Sequence, residues 1–318
     1  MKDGSQLFRK ENAAAIDKIC LRNFGEKTRK IKLLKGGGFN TTYLIRLVSG
    51  RKYVLQFSPV NTQFLMPFEE NLLPAEKRIC AMLHENGLPA NTVVAEDFQA
   101  SLLDRQYIIF DYIDGVPLSK LPSRHTGSLL RQTGEIIAKM HAINCADEGH
   151  FGYASNTFRG VKHETWRDFI LFHASEIVEY CQKFDVLPTD LSAKILPLFE
   201  KGSCIFDEIK TPYLVHGDLW QGNVLANKKQ VLAIIDTDRC LFGDADFDFA
   251  CPWMIDQNFL EGYGDLPVGN NREIRLLYYK VLQEIVCCCA FKIQYRKNLA
   301  FLQRLNIVQK AVENLECC

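Results

Sequence analysis

The sequence YLVHGDLWQGNVLANKKQVLAIIDTDRCLFGDADFDFA, residues 213–250, decides how the rest of this chain is interpreted. Its apolar runs 224–226 and 231–235 flank the polar turn 227–230, a pattern that predicts two short strands joined as a β-hairpin. A hairpin returns the chain to the edge from which it started. Residues just before the first strand and just after the second are therefore expected to lie close together.

Three polar side chains near this edge suit a hard cation and a proton transfer. Asn223 stands at the entry of the hairpin and Asp236 at its exit, and facing residues of an antiparallel pair have Cβ atoms about 4.5–5.5 Å apart. Their oxygens suit magnesium, which fills its remaining positions with water and nucleotide phosphates. Asp218 precedes Asn223 by five residues, as in the catalytic loop of kinases, where the aspartate accepts a hydroxyl proton and the asparagine holds a metal. These spacings predict a phosphoryl-transfer site.

Two blocks of this stretch resemble the signature of a known superfamily: HGDLWQGNVL, residues 216–225, and IIDTDRCLFGDADFDFA, residues 234–250. The superfamily is that of the aminoglycoside phosphotransferases, choline kinases and fructosamine kinases. The resemblance implies an α+β, bilobal, protein-kinase-like fold with a small β-rich N-lobe and a larger, mostly helical C-lobe. It also implies that Asp218 is the catalytic base and that Asn223 and Asp236 bind Mg²⁺. The alternative interpretation is an ordinary turn followed by helix-capping acids. It explains the presence of two ordered motifs less well than a phosphoryl-transfer site does.

The same resemblance implies that one of two later aspartates, Asp244 or Asp248, braces the catalytic loop. The local sequence favours a structural role over a chemical one for both side chains. Asp244 is well placed to cap a helix that runs through Phe249.

The composition bounds the size and class of the protein. A chain of 318 residues with 47% hydrophobic residues can bury a sizeable core, as one large bilobal unit or as two domains. Its 38 basic side chains balance its 38 acidic ones, so the overall charge favours neither nucleic acid nor an anionic membrane as a partner. The sequence leaves the oligomeric state open.

No targeting or membrane-spanning segment is expected. The N-terminal residues 1–12 contain no apolar run, and polar residues interrupt the most apolar later stretch, residues 281–293. The 12 cysteines are mostly scattered among apolar neighbours, which favours reduced, buried thiols over disulfides. These features predict a cytoplasmic protein.

A glycine-rich loop is the first candidate contact for the nucleotide phosphates. Gly37 and Gly38 would let backbone amides approach an anion closely, and Asn40 continues the loop. The regular elements expected around it are a helix at 13–24 and strands at 31–34, 42–48, 52–57, 93–98 and 106–110. Together they predict the small lobe of a kinase-like fold.

The third of these strands departs from the kinase pattern. It places Gln56 where kinase-like folds carry a lysine or arginine that contacts the α- and β-phosphates. Glu76 begins a helical segment and matches the superfamily's helix glutamate, so the usual ion pair becomes at best a hydrogen bond between an amide and a carboxylate. Gln56 also leaves open a different class of function, a nucleotide-binding regulator without catalysis.

The segment after the last N-lobe strand is expected to be the hinge between an N-lobe of residues 1–112 and a C-lobe of residues 113–318. By resemblance, the backbone carbonyl of Asp111 and the backbone amide of Ile113 receive the adenine of ATP, with GTP as the alternative nucleotide. A plain turn between the lobes fits the local sequence equally well.

Helical periodicity dominates the rest of the chain. Ser128 is expected to cap a helix that ends near His141, and His141 is expected to be a packed structural histidine rather than a base. Residues 272–318 are expected to be helical and to complete the substrate lobe. The consecutive Cys287–Cys289 favour core packing over metal ligation, because adjacent side chains on a helix point about 100° apart.

Acidic side chains predominate between Glu164 and Glu208, where nine acids accompany four bases. If these acidic side chains lined the substrate site, they would suit a cationic substrate. A solvated helix surface explains most such runs, so both interpretations stay open.

The sequence thus predicts transfer of the γ-phosphoryl group of ATP to a hydroxyl group of a small molecule, such as an aminoglycoside or an amino sugar. A protein kinase is the nearer rival. It is disfavoured because only seven residues separate Asp236 from Asp244, too few for a long activation segment. The sequence does not identify the acceptor.

Overall fold

The N-lobe is organised around an antiparallel sheet. The computed structural model describes residues 4–34, 38–266 and 269–317. The strands are β1 (Thr28–Leu33), β2 (Thr41–Leu47), β3 (Lys52–Phe57), β4 (Val93–Asp97) and β5 (Tyr107–Asp111). Their order in the sheet is β1-β2-β3-β5-β4. Buried and more exposed side chains alternate along β2, as expected for a strand with one face towards a core.

One face of this sheet is covered by helix α1 (Ala13–Phe24), which has the bounds expected from its sequence. Ile16 and Ile19 pack against the strands. The side chain of Asn12 caps the first turn by accepting the backbone N–H of Ala15 at 2.8 Å. Gly25, at φ 71°, ends the helix in the left-handed conformation that glycine tolerates best.

The other face packs against helix α2 (Leu72–Glu85), which begins four residues before the expected start at Glu76. Pro74 falls in the first turn, where a missing N–H breaks no helical hydrogen bond. Leu73 is buried against the sheet, so its packing favours the longer helix. The sequence-based start was therefore wrong because tertiary packing extends the helix backwards.

The C-lobe alternates short strands with longer helices. Its elements are β6 (Val116–Pro117), α3 (Thr126–Met140), β7 (Gly152–Tyr153), α4 (Asn156–Arg159), α5 (Trp166–Lys183), α6 (Thr189–Lys201), β8 (Tyr213–Val215), β9 (Val224–Ala226), β10 (Val231–Ile234), β11 (Leu241–Gly243), α7 (Gln257–Tyr263), α8 (Arg272–Cys289) and α9 (Asn298–Glu316). The strands form two small sheets, in the orders β10-β9-β6 and β7-β11-β8.

The expected hairpin is present as β9 and β10. Val231 faces Ala226 and Ile234 faces Val224 in an antiparallel register. The backbone N–H of Ile235 donates to the carbonyl of Asn223 at 2.9 Å, so the entry and the exit of the hairpin lie side by side.

The largest core of the C-lobe lies between α5, α6, α8 and α9, with Trp166 and Tyr279 among its fully buried side chains. Cys288 and Cys289 belong to this core, as expected, and all eleven described cysteines are free. The C-terminal segment is helical, but a π-helical turn, Ala290–Gln294, separates its two helices.

Ser128 does not cap α3, contrary to expectation. A 3₁₀ turn, Ser123–His125, leads directly into the helix, which therefore begins at Thr126 and places Ser128 within its first turn. The helix ends where expected, with His141 as its C-terminal cap.

A second core crosses between the lobes. Ala75, Ile79 and Leu83 of α2 share it with C-lobe residues such as Leu118 and Ile234. Residues 112 and 113, where the lobe boundary is predicted, fall in the connection between β5 and β6, and the boundary stays a prediction. Within the described ranges, no helix combines the length and the apolar character that crossing a bilayer requires.

Candidate active site

Asp248 fixes the loop between β8 and β9 through hydrogen bonds to its backbone. Its carboxylate accepts the backbone N–H groups of His216 at 2.9 Å and Gly217 at 2.8 Å, and it lies 3.0 Å from Nε2 of His141. Burial alone raises the pKa of Asp248, but hydrogen bonds from His141 and His216 outweigh burial and hold that pKa below its usual range. Asp248 is therefore a charged anchor for the loop.

Asp244 has a different role. It caps the 3₁₀ turn Ala245–Phe249 by accepting the N–H of Asp246 at 3.0 Å, which confirms the expected capping position. Its carboxylate also accepts hydrogen bonds from Arg275 at 3.1 Å and Tyr279 at 2.8 Å. Of the two aspartates that could brace the loop, the structure assigns the contact to Asp248.

Gly217 makes the close turn that presents Asp218. Its φ is 76°, and a Cβ atom at this position would lie 2.4 Å from the carbonyl oxygen of Arg239. Any side chain here would force the loop away from the segment that follows β10. The geometry of Asp218 therefore depends on glycine at 217.

Asn223 and Asp218 are joined directly. The Asn223 amide nitrogen donates to the backbone carbonyl of Asp218 at 2.8 Å and to its carboxylate at 3.0 Å. Because the amide nitrogen is used within the loop, the amide oxygen of the buried Asn223 is left as the atom that can bind a cation.

Asp236 occupies the exit of the hairpin in a left-handed backbone conformation, with φ at 62°. Burial raises the pKa of its carboxyl well above the usual range, and the Asp238 and Asp218 carboxylates raise it further. A bound cation would relieve this repulsion. In the described part of the chain, no three His, Cys, Asp or Glu side chains form a metal site, so an ion here would rely on Asn223, water and phosphate as well.

Asp238 was not singled out from the sequence. It is buried, and the amide nitrogen of Asn40 approaches its carboxylate at 3.4 Å. Burial raises the pKa of Asp238 and the Asp218 carboxylate adds to this, whereas the Arg239 guanidinium lowers it. The Asp-Thr-Asp spacing of residues 236–238 was the available signal.

Gln56 and Glu76 meet as expected, through a hydrogen bond of 3.3 Å between an amide and a carboxylate. Burial raises the pKa of Glu76 well above its usual range, and the carboxylates of Asp238 and Asp236 raise it further. Among the described residues, no positive side chain contributes to this shift of the Glu76 pKa. Kinase-like folds have a positively charged side chain at the position of Gln56, and here that side chain is a neutral amide.

The other predicted nucleotide contacts belong to the glycine-rich loop and to the segment after β5. Gly37 lies outside the described residues. Gly38 and Asn40 belong to the segment that leads into β2, and the Asn40 side-chain oxygen is buried without a hydrogen-bond partner. Asp111 ends β5, and the carbonyl of Ile113 accepts the N–H of Gly115 at 2.9 Å, which tightens the turn between the lobes.

A small, partly open cavity of about 50 Å³ adjoins Asp218. Aromatic side chains dominate its lining, and Arg239 supplies a positive charge beside them. The aromatic members are Phe68, Tyr153, His173, Phe247 and Trp253. None of the nine acids between residues 164 and 208 is part of its described lining.

Several of those acids are engaged elsewhere. Glu176 pairs with Arg159 at 2.6 Å, and Asp168 binds the hydroxyl of Thr165 at the start of α5. Asp207 pairs with Arg167. This distribution fits the surface of a helical lobe better than the wall of a cationic site.

The comparisons with known proteins place this geometry in a family. The model of the phosphotransferase enzyme family matches residues 30–276, and the chain belongs to that family. The predicted superfamily and the predicted class of enzyme, a phosphotransferase, are confirmed.

Curated relatives in the family include two kinases. Hygromycin-B 4-O-kinase of Escherichia coli is 27% identical over 249 residues, which cover 76% of this chain and 68% of that protein. The chloroplastic protein-ribulosamine 3-kinase of Oryza sativa subsp. japonica is 28% identical over 132 residues, or 38% of this chain and 36% of that protein.

Solved structures confirm the kinase-like fold. A thermostable mutant of aminoglycoside phosphotransferase APH(4)-Ia, in a ternary complex with AMP-PNP and hygromycin B, aligns with a TM-score of 0.66 at 19% identity, over 95% of this chain and 97% of that one. A fructosamine-3-kinase homologue from Thermobifida fusca aligns with a TM-score of 0.68 at 16% identity, and the alignment covers 94% of this chain and 100% of that one.

Proposed function

We propose that the protein transfers the γ-phosphoryl group of ATP to a hydroxyl group of a small molecule. The observation that carries this proposal is the loop of Asp218, which Asp248 holds through two backbone N–H groups beside Asn223. Asp218 would orient the acceptor hydroxyl and take its proton as the new O–P bond forms.

Asn223 and Asp236 would hold Mg²⁺. Asn223 and Asp236 stand at the entry and the exit of the hairpin, where the backbone N–H of Ile235 bonds to the carbonyl of Asn223. Their side chains carry oxygen ligands of the kind that Mg²⁺ binds. When bound, the ion would neutralise part of the phosphate charge. Burial, and then the neighbouring carboxylates, raise the pKa of Asp236, and a bound cation would offset both by stabilising the charged carboxylate.

The nucleotide would lie between the lobes. In this proposal Gly37, Gly38 and Asn40 face the phosphates, and Gln56 with Glu76 closes the inner side of that site. The backbone of Asp111 and Ile113 would receive adenine, and guanine is the alternative that a comparison of ATP with GTP decides.

The acceptor would occupy a widened form of the cavity beside Asp218. The names of the relatives support a small hydroxyl compound such as an aminoglycoside or an amino sugar. A cationic acceptor has less support, because aromatic rings and Arg239 dominate the cavity. A cytoplasmic location is part of the proposal, since the described cysteines are free thiols and ATP is abundant there.

Two alternatives make different predictions. A catalytically silent regulator, which Gln56 permits, would bind MgATP without turnover on any acceptor. A protein kinase would phosphorylate peptides, and the short segment from Asp236 to Asp244 argues against it.

An acceptor screen with MgATP tests the proposal. Aminoglycosides, amino sugars, ketosamines, choline-like alcohols and a peptide pool are incubated with the protein, and ADP release is measured with Asp218→Asn as the matched background. We expect acceptor-dependent ADP release from the unaltered protein alone. MgATP binding without turnover across the panel would favour the silent regulator.

A further inference from the structure

The proposed phosphate site carries an excess of negative charge. The carboxylates of Asp236 and Asp238 lie close enough to Glu76 to affect it, and the Asp218 carboxylate affects both Asp236 and Asp238. Gln56 contributes no charge where kinase-like folds have a cation. ATP would add further negative charge, so a second positive group besides Mg²⁺ is needed to stabilise the transferring phosphoryl group.

Arg239 lies where such a group would act. Its guanidinium carbon is 5.3 Å from the centre of the Phe39 ring, and Phe39 directly follows Gly38 of the glycine-rich loop. Arg239 also lines the cavity together with Asp218. The guanidinium thus contacts Phe39 and lines the same cavity as Asp218, the residue expected to activate the acceptor.

The surroundings of Arg239 fix its position and keep it charged. One guanidinium nitrogen donates to Glu69 at 2.6 Å, and the other Glu69 oxygen accepts the backbone N–H of Met66 at 2.9 Å. Burial by itself lowers the pKa of Arg239, but Glu69, Tyr295, Asp218 and Asp238 together outweigh burial, so the pKa lies above its usual range.

Donors of Arg239 remain available to a ligand. A guanidinium has five N–H groups, and within the described residues that of Arg239 donates to Glu69. Its side chain is 17% exposed, whereas that of Glu69 is 0% exposed. Glu69 therefore holds the guanidinium of Arg239 on its buried side, and Arg239 lines the cavity beside Asp218.

We propose that Arg239 supplies the cation that Gln56 does not, by donating hydrogen bonds to the γ-phosphoryl group of ATP. The inference rests on the proposed function. In the reaction, the bond between the γ-phosphorus and the bridging oxygen breaks, and its electron pair stays on ADP. The acceptor oxygen forms the new bond to phosphorus, and its proton passes to Asp218. Arg239 stabilises the negative charge on the transferring group, since a planar guanidinium matches phosphate oxygens.

Discrimination between ATP and ADP separates this role from a structural one. A contact with the γ-phosphoryl group strengthens binding of ATP and not of ADP. An arginine that only pairs with Glu69 would affect both nucleotides equally, through the shape of the site.

The test measures dissociation constants of MgATP and MgADP by calorimetry. Removing Arg239 alone would leave Glu69 buried and unpaired, so the informative variant is Glu69→Gln/Arg239→Met, with Glu69→Gln as its reference. Glu176→Gln/Arg159→Met, with Glu176→Gln as its reference, is the matched control, because Arg159 also pairs with a partly buried glutamate, Glu176, at 2.6 Å. If the Arg239 double variant does not fold, Glu69→Gln/Arg239→Gln keeps a neutral hydrogen bond and is measured in the same way.

We expect the Arg239 double variant to lose about tenfold or more of its preference for ATP over ADP, the range of a hydrogen bond between charged groups. Adding Gln56→Lys to it should restore part of that preference, because it returns a cation to the phosphate site. Equal weakening of both nucleotides, or an unchanged preference, overturns the role of Arg239. Failure of the unaltered protein to bind MgATP would instead overturn the proposed function, and the Arg239 inference with it.

Discussion

Asp218 is the residue on which the proposed chemistry depends most directly. Asp218→Asn keeps the size of the side chain but removes the proton acceptor, a role that contributes about 10²–10⁴-fold in rate. We expect kcat to fall by that range while the dissociation constant of MgATP stays within about twofold. Steady-state kinetics and calorimetry measure the two quantities. The exposed Asp147→Asn is the control, and near-normal turnover of Asp218→Asn would remove Asp218 from the mechanism.

Gln56 and Asp236 should contribute unequally to the rate of phosphoryl transfer. Gln56 offers a dipole and is already bonded to Glu76, so Gln56→Ala should cost no more than about tenfold in kcat/KM, or about 1.4 kcal/mol. Asp236→Asn should abolish measurable transfer because it weakens the metal site, and asparagine tolerates the left-handed backbone at this position. Kinetics at saturating Mg²⁺ decide the order. A Gln56→Ala loss as large as that of Asp236→Asn would make the amide a principal phosphate ligand.

At the scale of secondary-structure elements, the bracing of the β8–β9 loop by the turn after β11 should link stability to rate. Asp248→Asn places an NH₂ group among three donors and should cost about 1–3 kcal/mol of unfolding free energy. The displaced loop should also lower kcat by about 10²-fold.

Asp244→Asn is the matched comparison for that prediction. It weakens the contacts with Arg275 and Tyr279, and should destabilise the fold while leaving kcat per folded molecule nearly unchanged. Urea unfolding and active-site-normalised kinetics separate the two effects. If both variants lost kcat equally, the Asp248 contact would have no special role in positioning the loop.

At the scale of the whole molecule, His173 should make the fold sensitive to acid. Burial lowers the pKa of His173 from 6.5 to about 3, and Arg159 adds to the shift. Its Nδ1 atom is buried without a hydrogen-bond partner, so a proton there would find no acceptor. Below about pH 6.5 the unfolded chain takes up a proton that the folded chain does not, so stability falls with pH by about 1.4 kcal/mol per unit until about pH 3.

His173→Gln should remove this contribution. Between pH 7.5 and pH 5.0 the unaltered protein should lose about 2 kcal/mol more unfolding free energy than the variant. Urea unfolding at the two pH values measures the difference. An equal loss in both proteins would show that His173 is not the group that titrates.

The sequence by itself determined the elements whose pattern is local. Helix α1, strand β3 and the hairpin of β9 and β10 follow from the periodicity of their own residues, and the hairpin brings Asn223 beside the segment of Asp236. The two signature blocks were enough to indicate the family for the same reason, since both fall within residues 213–250.

The tertiary structure decided the contacts between distant parts of the chain. Asp248, and not Asp244, reaches the loop of His216, and Glu69 holds Arg239 beside Phe39. Local periodicity does not encode which of two nearby aspartates points at a given backbone amide. That choice depends on how the lobes and helices pack, because a hydrogen bond between residues 32 or 170 positions apart forms only when packing brings them together.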